Sequence, residues 1–190
     1  MDRREFLGVS LVIPAVLTFA PRAGGQVRPT PACGAATVTQ TEGPYFKASS
    51  PQRQSLIEPS SKGTRIVVEG TVLDTDCKPL PKALIDVWHA DAAGEYDNSG
   101  YRMRGHQFTD AGGKFRLQTI VPGNYPGRTR HFHVKVQGQG GRVLTTQLYF
   151  PDEPNNRRDG IFTPELVMKV KDVEGGKLGA FDFVLPKSRA

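Results

Sequence analysis

His131-Phe132-His133-Val134-Lys135-Val136 alternates polar and apolar residues without a break, and a period of two marks a β-strand with one buried face. On such a strand Phe132, Val134 and Val136 point into a core, while His131, His133 and Lys135 share the opposite face. A lysine is not buried without a partner, so this face is expected to look onto a cleft or the surface. Further β-type runs occur at Arg65 to Leu73, Ala83 to His89, Lys114 to Ile120, Val143 to Phe150, Leu166 to Lys171 and Ala180 to Leu185, which makes seven short strands in all. Three of the gaps carry hairpin chemistry, with glycine supplying positive φ: Asp110-Ala111-Gly112-Gly113, Gln137-Gly138-Gln139-Gly140-Gly141 and Glu174-Gly175-Gly176. With 21 Gly and 15 Pro opposing long helices, the expectation is an all-β, antiparallel β-sandwich with long loops.

Upstream of these strands, residues 26–64 are rich in Pro, Ser, Thr and Gln without periodicity, and read as an irregular N-terminal arm and pocket loop. Residues 65–190 then form one sandwich domain, since 190 residues leave room for a single core. Residues 1–25 differ in kind. Arg3-Arg4-Glu5-Phe6-Leu7 precedes an apolar run to Ala20, which has the form of a cleavable twin-arginine export signal. That run falls short of the roughly 20 residues needed to span a bilayer. The expected location is therefore periplasmic or secreted, with no membrane attachment after cleavage. Because this route carries folded proteins, it also hints at a cofactor inserted before export.

Loss of residues 1–25 removes Arg3, Arg4, Arg22, Asp2 and Glu5, so the formal charge falls from +6 to +5. The remaining arginines are scattered in pairs, and no nucleic-acid motif accompanies them. Anionic small molecules suit this surface better than nucleic acid. Two cysteines, Cys33 and Cys77, are too few for a zinc site, and in an oxidising compartment they are expected to pair as a disulfide.

The two histidines of the strand could be ligands, but only His89 and His106 remain elsewhere. That is too few for a copper-type site, and no carboxylate follows the His-x-His as a cupin-type site needs. Tyrosine is left. Tyr125 lies in Pro122-Gly123-Asn124-Tyr125-Pro126-Gly127, a stiff loop that leads into the histidine strand. A phenolate is a hard anion suited to trivalent iron, whose charge displaces the proton of a phenol with an ordinary pKa near 10.

Several segments together resemble the intradiol ring-cleavage dioxygenases: Asp86-Val87-Trp88-His89-Ala90-Asp91-Ala92-Ala93-Gly94-Glu95-Tyr96-Asp97, Pro122-Gly123-Asn124-Tyr125-Pro126, and Arg128 three residues before His131-Phe132-His133. Thr41-Glu42-Gly43-Pro44-Tyr45-Phe46, Gln107-Phe108-Thr109-Asp110 and Leu144-Thr145-Thr146-Gln147-Leu148-Tyr149-Phe150 extend the likeness. The resemblance implies one Fe(III) per chain held by Tyr96, Tyr125, His131 and His133, and a catechol-type diol opened with O2 to a muconate-type diacid. It implies that Tyr96 also belongs to the catalytic set, with Arg128 facing the reacting ring beside Gln147. Gly43, Pro44 and Tyr45 correspond to the substrate pocket. Tyr101 competes for the first tyrosine position but lacks the Gly-x-Tyr context, Tyr149 reads as a packed strand residue, and Trp88 and His89 read as plain strand and core residues. The chain departs from the family in a short Tyr125-to-His131 loop with Gly127 where protocatechuate enzymes carry a bulky aromatic, and in lacking a helical dimerisation region; a homo-oligomer is left open. The competing reading is a metal-free, transthyretin-like binding module, which iron content would exclude.

Replacing Arg3 and Arg4 by lysine is expected to trap the precursor in the cytoplasm. Fractionation of cells expressing both forms checks this, and unchanged export would refute the signal assignment.

Overall fold

The computed structural model describes residues 34–187. The expected signal at 1–25, the start of the arm and Cys33 lie outside the described residues. Nine strands are found among them: β1 (Arg65–Asp74), β2 (Leu84–Trp88), β3 (Arg104–Phe108), β4 (Lys114–Ile120), β5 (His131–Gln137), β6 (Leu144–Tyr149), β7 (Lys169–Val173), β8 (Gly176–Ala180) and β9 (Phe183–Leu185). One sheet runs β4-β1-β8-β7 with β9 also paired to β1, and the other runs β3-β2-β5-β6. Between them lies an apolar core that includes Val68, Ile85, Phe115, Leu117, Phe132, Val134, Leu148 and Phe183. This is the expected sandwich.

It holds two strands more than expected. β3 was missed because Arg-Gly-His-Gln-Phe contains a glycine and no β-branched residue, and only pairing along the whole of β2 makes it a strand. The run expected at Ala180 to Leu185 holds β9 and only the last residue of β8, which was not expected; β8 lies along Ile66 to Glu69 of β1 and β9 along Val72 to Asp74. Both of these pairs are parallel, whereas the other ladders are antiparallel. The Gln137 to Gly141 and Glu174 to Gly176 segments do close hairpins, β5 to β6 and β7 to β8. Asp110 to Gly113 does not. It carries the chain from β3 in one sheet to β4 in the other.

Burial separates two kinds of strand. β4 alternates between exposed and buried residues from Lys114 to Thr119 and ends on buried Ile120, as a sheet with one wet face requires. β5 is buried along nearly its whole length, so both of its faces are covered. The cover on the second face is the arm. Its backbone is tied to β6 by Gln40 N–H to Thr145 O (2.8 Å), to β3 by Arg53 N–H to His106 O (2.8 Å) and to β4 by Leu56 N–H to Gln118 O (2.9 Å). The arm therefore crosses the β3-β2-β5-β6 sheet from one edge to the other.

His89, just beyond β2, is a buried core residue as expected. Its Nδ1–H donates to Ala90 O at 2.7 Å, and its Nε2 lies 2.7 Å from the Thr119 hydroxyl. Burial pushes its pKa down from 6.5 to about 4. Between those two values the unfolded chain binds a proton that the folded chain refuses. The contribution is therefore fully present above pH 6.5 and is lost as pH falls toward 4, by about 3 kcal/mol. Urea unfolding at pH 7 and pH 4 should show this loss, and His89→Asn should make the slope shallower. An identical slope in the variant would show that His89 is not the titrating group.

Candidate metal centre

Residues paired across neighbouring strands project to the same face of a sheet. His133 stands between Trp88 on β2 and Gln147 on β6, and His131 stands opposite Tyr149. All five side chains are buried. Of the two places the alternation allowed, a cleft or the surface, the histidines are not at the surface, because arm residues 41–46 lie over them. Gly43 holds φ +70, and a Cβ there would sit 3.1 Å from His133 Cε1. Phe46 meets Trp88 edge-on at 5.0 Å. Lys135, the third polar residue of the face, lies 3.6 Å over the Phe46 ring and pairs with Glu42, so its burial is compensated. Trp88 stacks on His133 at 5.0 Å with 6° between the planes. It is a wall of the site rather than the plain core residue expected.

Tyr96 and Tyr125 arrive on two loops held together without side chains between them. Gly123 N–H donates to Asp91 O at 2.7 Å. A Cβ on Gly123 would fall 2.4 Å from Gly94 N, and one on Gly94, which holds φ +90, would fall 2.2 Å from Asn124 O. This close approach brings the two phenol rings to 5.9 Å, nearly perpendicular. Tyr45 joins them from the arm. Its ring stacks on Tyr96 at 4.3 Å, and its hydroxyl lies 2.9 Å from that of Tyr125. Pro44 beside it is exposed.

The donor atoms converge. Tyr96 Oη is 3.5 Å from His131 Nε2, which is 3.1 Å from His133 Nε2. His131 Nδ1–H donates to Thr129 O at 2.6 Å, so a neutral ring leaves Nε2 with a bare lone pair facing His133. Burial lowers His131 to about 4 and His133 well below its usual value, so both rings are uncharged at neutral pH. Burial likewise raises the Tyr96 phenol. His133 Nδ1 is buried without a hydrogen-bond partner. Without an ion the bare His131 Nε2 can accept the Nε2–H of His133; a cation between the rings would take the place of that shared proton and could ionise the phenols. Among the described residues no group of three or more His, Cys, Asp or Glu could hold a metal, so such a cation must draw on tyrosine. Two phenols and two imidazoles fit a hard trivalent ion.

Arg128 and Gln147 stand together beside this set. Arg128 Nη2–H donates to Gln147 Oε1 at 2.6 Å, and Gln147 Nε2–H donates to Thr41 O at 3.1 Å. The other side of the guanidinium meets Asp159, a residue that sequence reasoning missed: Arg128 Nε lies 2.8 Å from Asp159 Oδ2. Burial alone would push the Asp159 carboxyl up, but the Thr129 N–H and the Arg128 guanidinium hold it below the usual carboxylate range. Tyr149 packs beside His131, with its hydroxyl 3.1 Å from both Gln147 Oε1 and Ile161 O, and burial raises it to about 12. Tyr101 donates to Ala48 O at 2.9 Å and takes no part in the convergence. Arg130 turns to Glu153.

Residues 41–186 match a family model described as dioxygenase. The hydroxyquinol 1,2-dioxygenase of Nocardioides simplex is 32% identical over 185 residues, covering 84% of this chain and 61% of that protein. The protocatechuate 3,4-dioxygenase beta chain of Burkholderia cepacia is 40% identical over 123 residues, covering 54% of this chain and 52% of its own length. The chain thus spans between about half and three fifths of these relatives. Among solved structures, the dioxygenase domain of a dioxygenase carbohydrate-binding fusion from Streptomyces sp. SirexAA-E superposes with a TM-score of 0.78 at 55% identity, covering 80% of this chain and 99% of that one. Nothing in these matches favours a metal-free binding module.

Gly123→Ala should force the two tyrosine loops apart, since the added carbon meets backbone rather than a side chain that can swing away. A loss of about 1 to 3 kcal/mol in urea unfolding is expected, together with weaker ferric binding on titration. Wild-type values for both would refute the claim that this contact positions the tyrosines.

Proposed function

The chain belongs to the intradiol ring-cleavage dioxygenase family, and we propose on that basis that it binds one Fe(III) through Tyr96, Tyr125, His131 and His133 and opens a catechol-type diol. The ring would be cut between its two hydroxyl-bearing carbons, with both atoms of O2 entering a muconate-type diacid. The observation that carries this reading is the approach of the Tyr96 phenol to two uncharged, buried imidazoles, with the Tyr125 ring 5.9 Å from that of Tyr96.

Bound ferric iron supplies Lewis acidity, which favours the ionised diol and draws electron density out of its ring toward attack by O2. The chain supplies the rest. Thr129 O fixes the His131 tautomer, and Trp88 fixes the plane of His133 by stacking. Tyr125, ionised when it holds the metal, would take a proton from the arriving diol, and the Tyr45 hydroxyl 2.9 Å away would stay hydrogen-bonded to the phenol so formed. Gly43 and Tyr45 line the approach, and the arm excludes water from the histidine side. Arg128, held between Asp159 and Gln147, offers a charge to stabilise the negative charge that builds as oxygen adds.

Export by the twin-arginine route and a Cys33–Cys77 disulfide complete the proposal. Cys77 is not a free thiol, and it occupies the turn in which Asp74 N–H donates to Lys78 O.

Loading the purified protein with ferric ion should give a red tyrosinate colour. A panel of catechols under air should then consume O2 and yield ring-opened diacids. Tyr125→Phe and His133→Ala should lose the colour and most of the iron. Arg128→Ala should keep both and lose turnover by about a hundredfold or more. A colourless protein inactive on every catechol, or products cut outside the diol, would overturn the reading.

A further inference from the structure

Asp159 is a buried acid paired with Arg128, and neither the sequence pattern nor the metal set accounts for it. It comes from the segment after β6, immediately beyond the short 3-10 turn at Pro154–Arg157. Its side chain is 1% exposed. Three donors fix it. Oδ2 accepts Arg128 Nε at 2.8 Å and Thr129 N–H at 3.0 Å, while Oδ1 accepts Ile161 N–H at 3.1 Å. Thr129 is also tied to this segment through its hydroxyl, which donates to Asn156 Oδ1 at 2.6 Å. One carboxylate therefore sets two things at once: the direction of the Arg128 guanidinium, and the path of the Arg128-Thr129 backbone whose carbonyl fixes His131.

Arginine is long and loses several rotatable bonds when it is immobilised. Gln147 meets only the Nη2 end, and a single neutral hydrogen bond leaves the guanidinium free to pivot about that contact. The bond from Nε to Asp159 removes that freedom, since two bonds to different atoms of a planar group fix its plane. It also balances a charge that would otherwise be partly buried and uncompensated.

We propose that Asp159 is the positioning residue for Arg128, holding the guanidinium in the one orientation in which it can stabilise charge on the reacting ring. It touches neither substrate nor metal donors, and it acts through Arg128. This inference rests on the reading of the site as a ferric intradiol centre.

The test is a double-mutant cycle in the full-length protein. Asp159→Asn keeps the size and one acceptor oxygen but loses the charge, and it should lower kcat by about ten- to a hundredfold with KM changed far less. Iron content and visible colour should stay at wild-type values. In the Arg128→Ala background, Asp159→Asn should cause little further loss, because the residue it acts through is already gone. Asp159→Glu should restore part of the activity. A readout independent of turnover is the unfolding midpoint of the iron-free protein, where the two single losses should sum to more than the double-mutant loss.

Full activity in Asp159→Asn, or equal losses with and without Arg128, would overturn the assignment. So would loss of iron or colour, which would place Asp159 in support of the metal set instead. If wild-type protein loaded with iron opens no catechol, the reading of the site fails, and the iron-free cycle still reports whether Asp159 and Arg128 are coupled.

Discussion

Two imidazole nitrogens 3.1 Å apart, both buried and both on uncharged rings, set the terms for everything around them. His131 directs its proton to Thr129 O, so its Nε2 presents a lone pair to its neighbour. His133 cannot relieve the arrangement by turning, because Trp88 stacks on one side and Gly43 crowds its edge. One shared proton is what satisfies the two facing nitrogens in the absence of an ion, and a cation that accepts both lone pairs would take its place.

That constraint explains the architecture of the arm. In a two-layer sandwich the outer face of a sheet ordinarily meets water, and β4 shows what such a strand looks like. The outer face of β5 carries His131, His133 and Lys135, polar residues that would be comfortable in solvent, yet it is covered. Residues 41–46 make the cover possible by bringing matched groups: Glu42 and the Phe46 ring for Lys135, glycine where His133 needs clearance, and Tyr45 for the two phenols. Backbone bonds to β6, β3 and β4 hold the arm against that face. The low dielectric that depresses the histidines is thus made by a segment with no regular secondary structure of its own.

Much of this was legible in the sequence, and the limits have physical causes. Alternation in 131–136 located the strand, its core side and the shared face of the histidines, because a period of two is a local property. Whether that shared face is wet or covered is not local, so the alternation left a cleft and the surface as alternatives and the arm decides between them. β3 escaped because its strand character comes from its neighbour rather than from its composition. Tyr125 was marked by its stiff loop into the histidine strand and Tyr96 by resemblance to a family, whereas the reason they meet, two glycines that allow backbone to touch backbone, shows only in three dimensions. Asp159 lies 31 residues from Arg128 in a stretch without periodicity, and nothing in Arg157-Arg158-Asp159-Gly160 separates it from a surface charge.

Charge balance ties the pieces together. Without an ion, the buried donors are neutral: the histidines are held below their usual range, the Tyr96 phenol is held above its own, and Arg128 is offset by Asp159. Such a site folds without leaving an uncompensated charge in a poorly solvated interior, a condition that would cost several kcal/mol. A trivalent cation changes the balance in a way the same groups can absorb, since each phenol that ionises removes one unit of the added charge. The arginine can then sit beside the metal set without repelling the ion, because its own charge is already answered on the far side. The pair is therefore best understood as one element of the site, even though only half of it faces the chemistry.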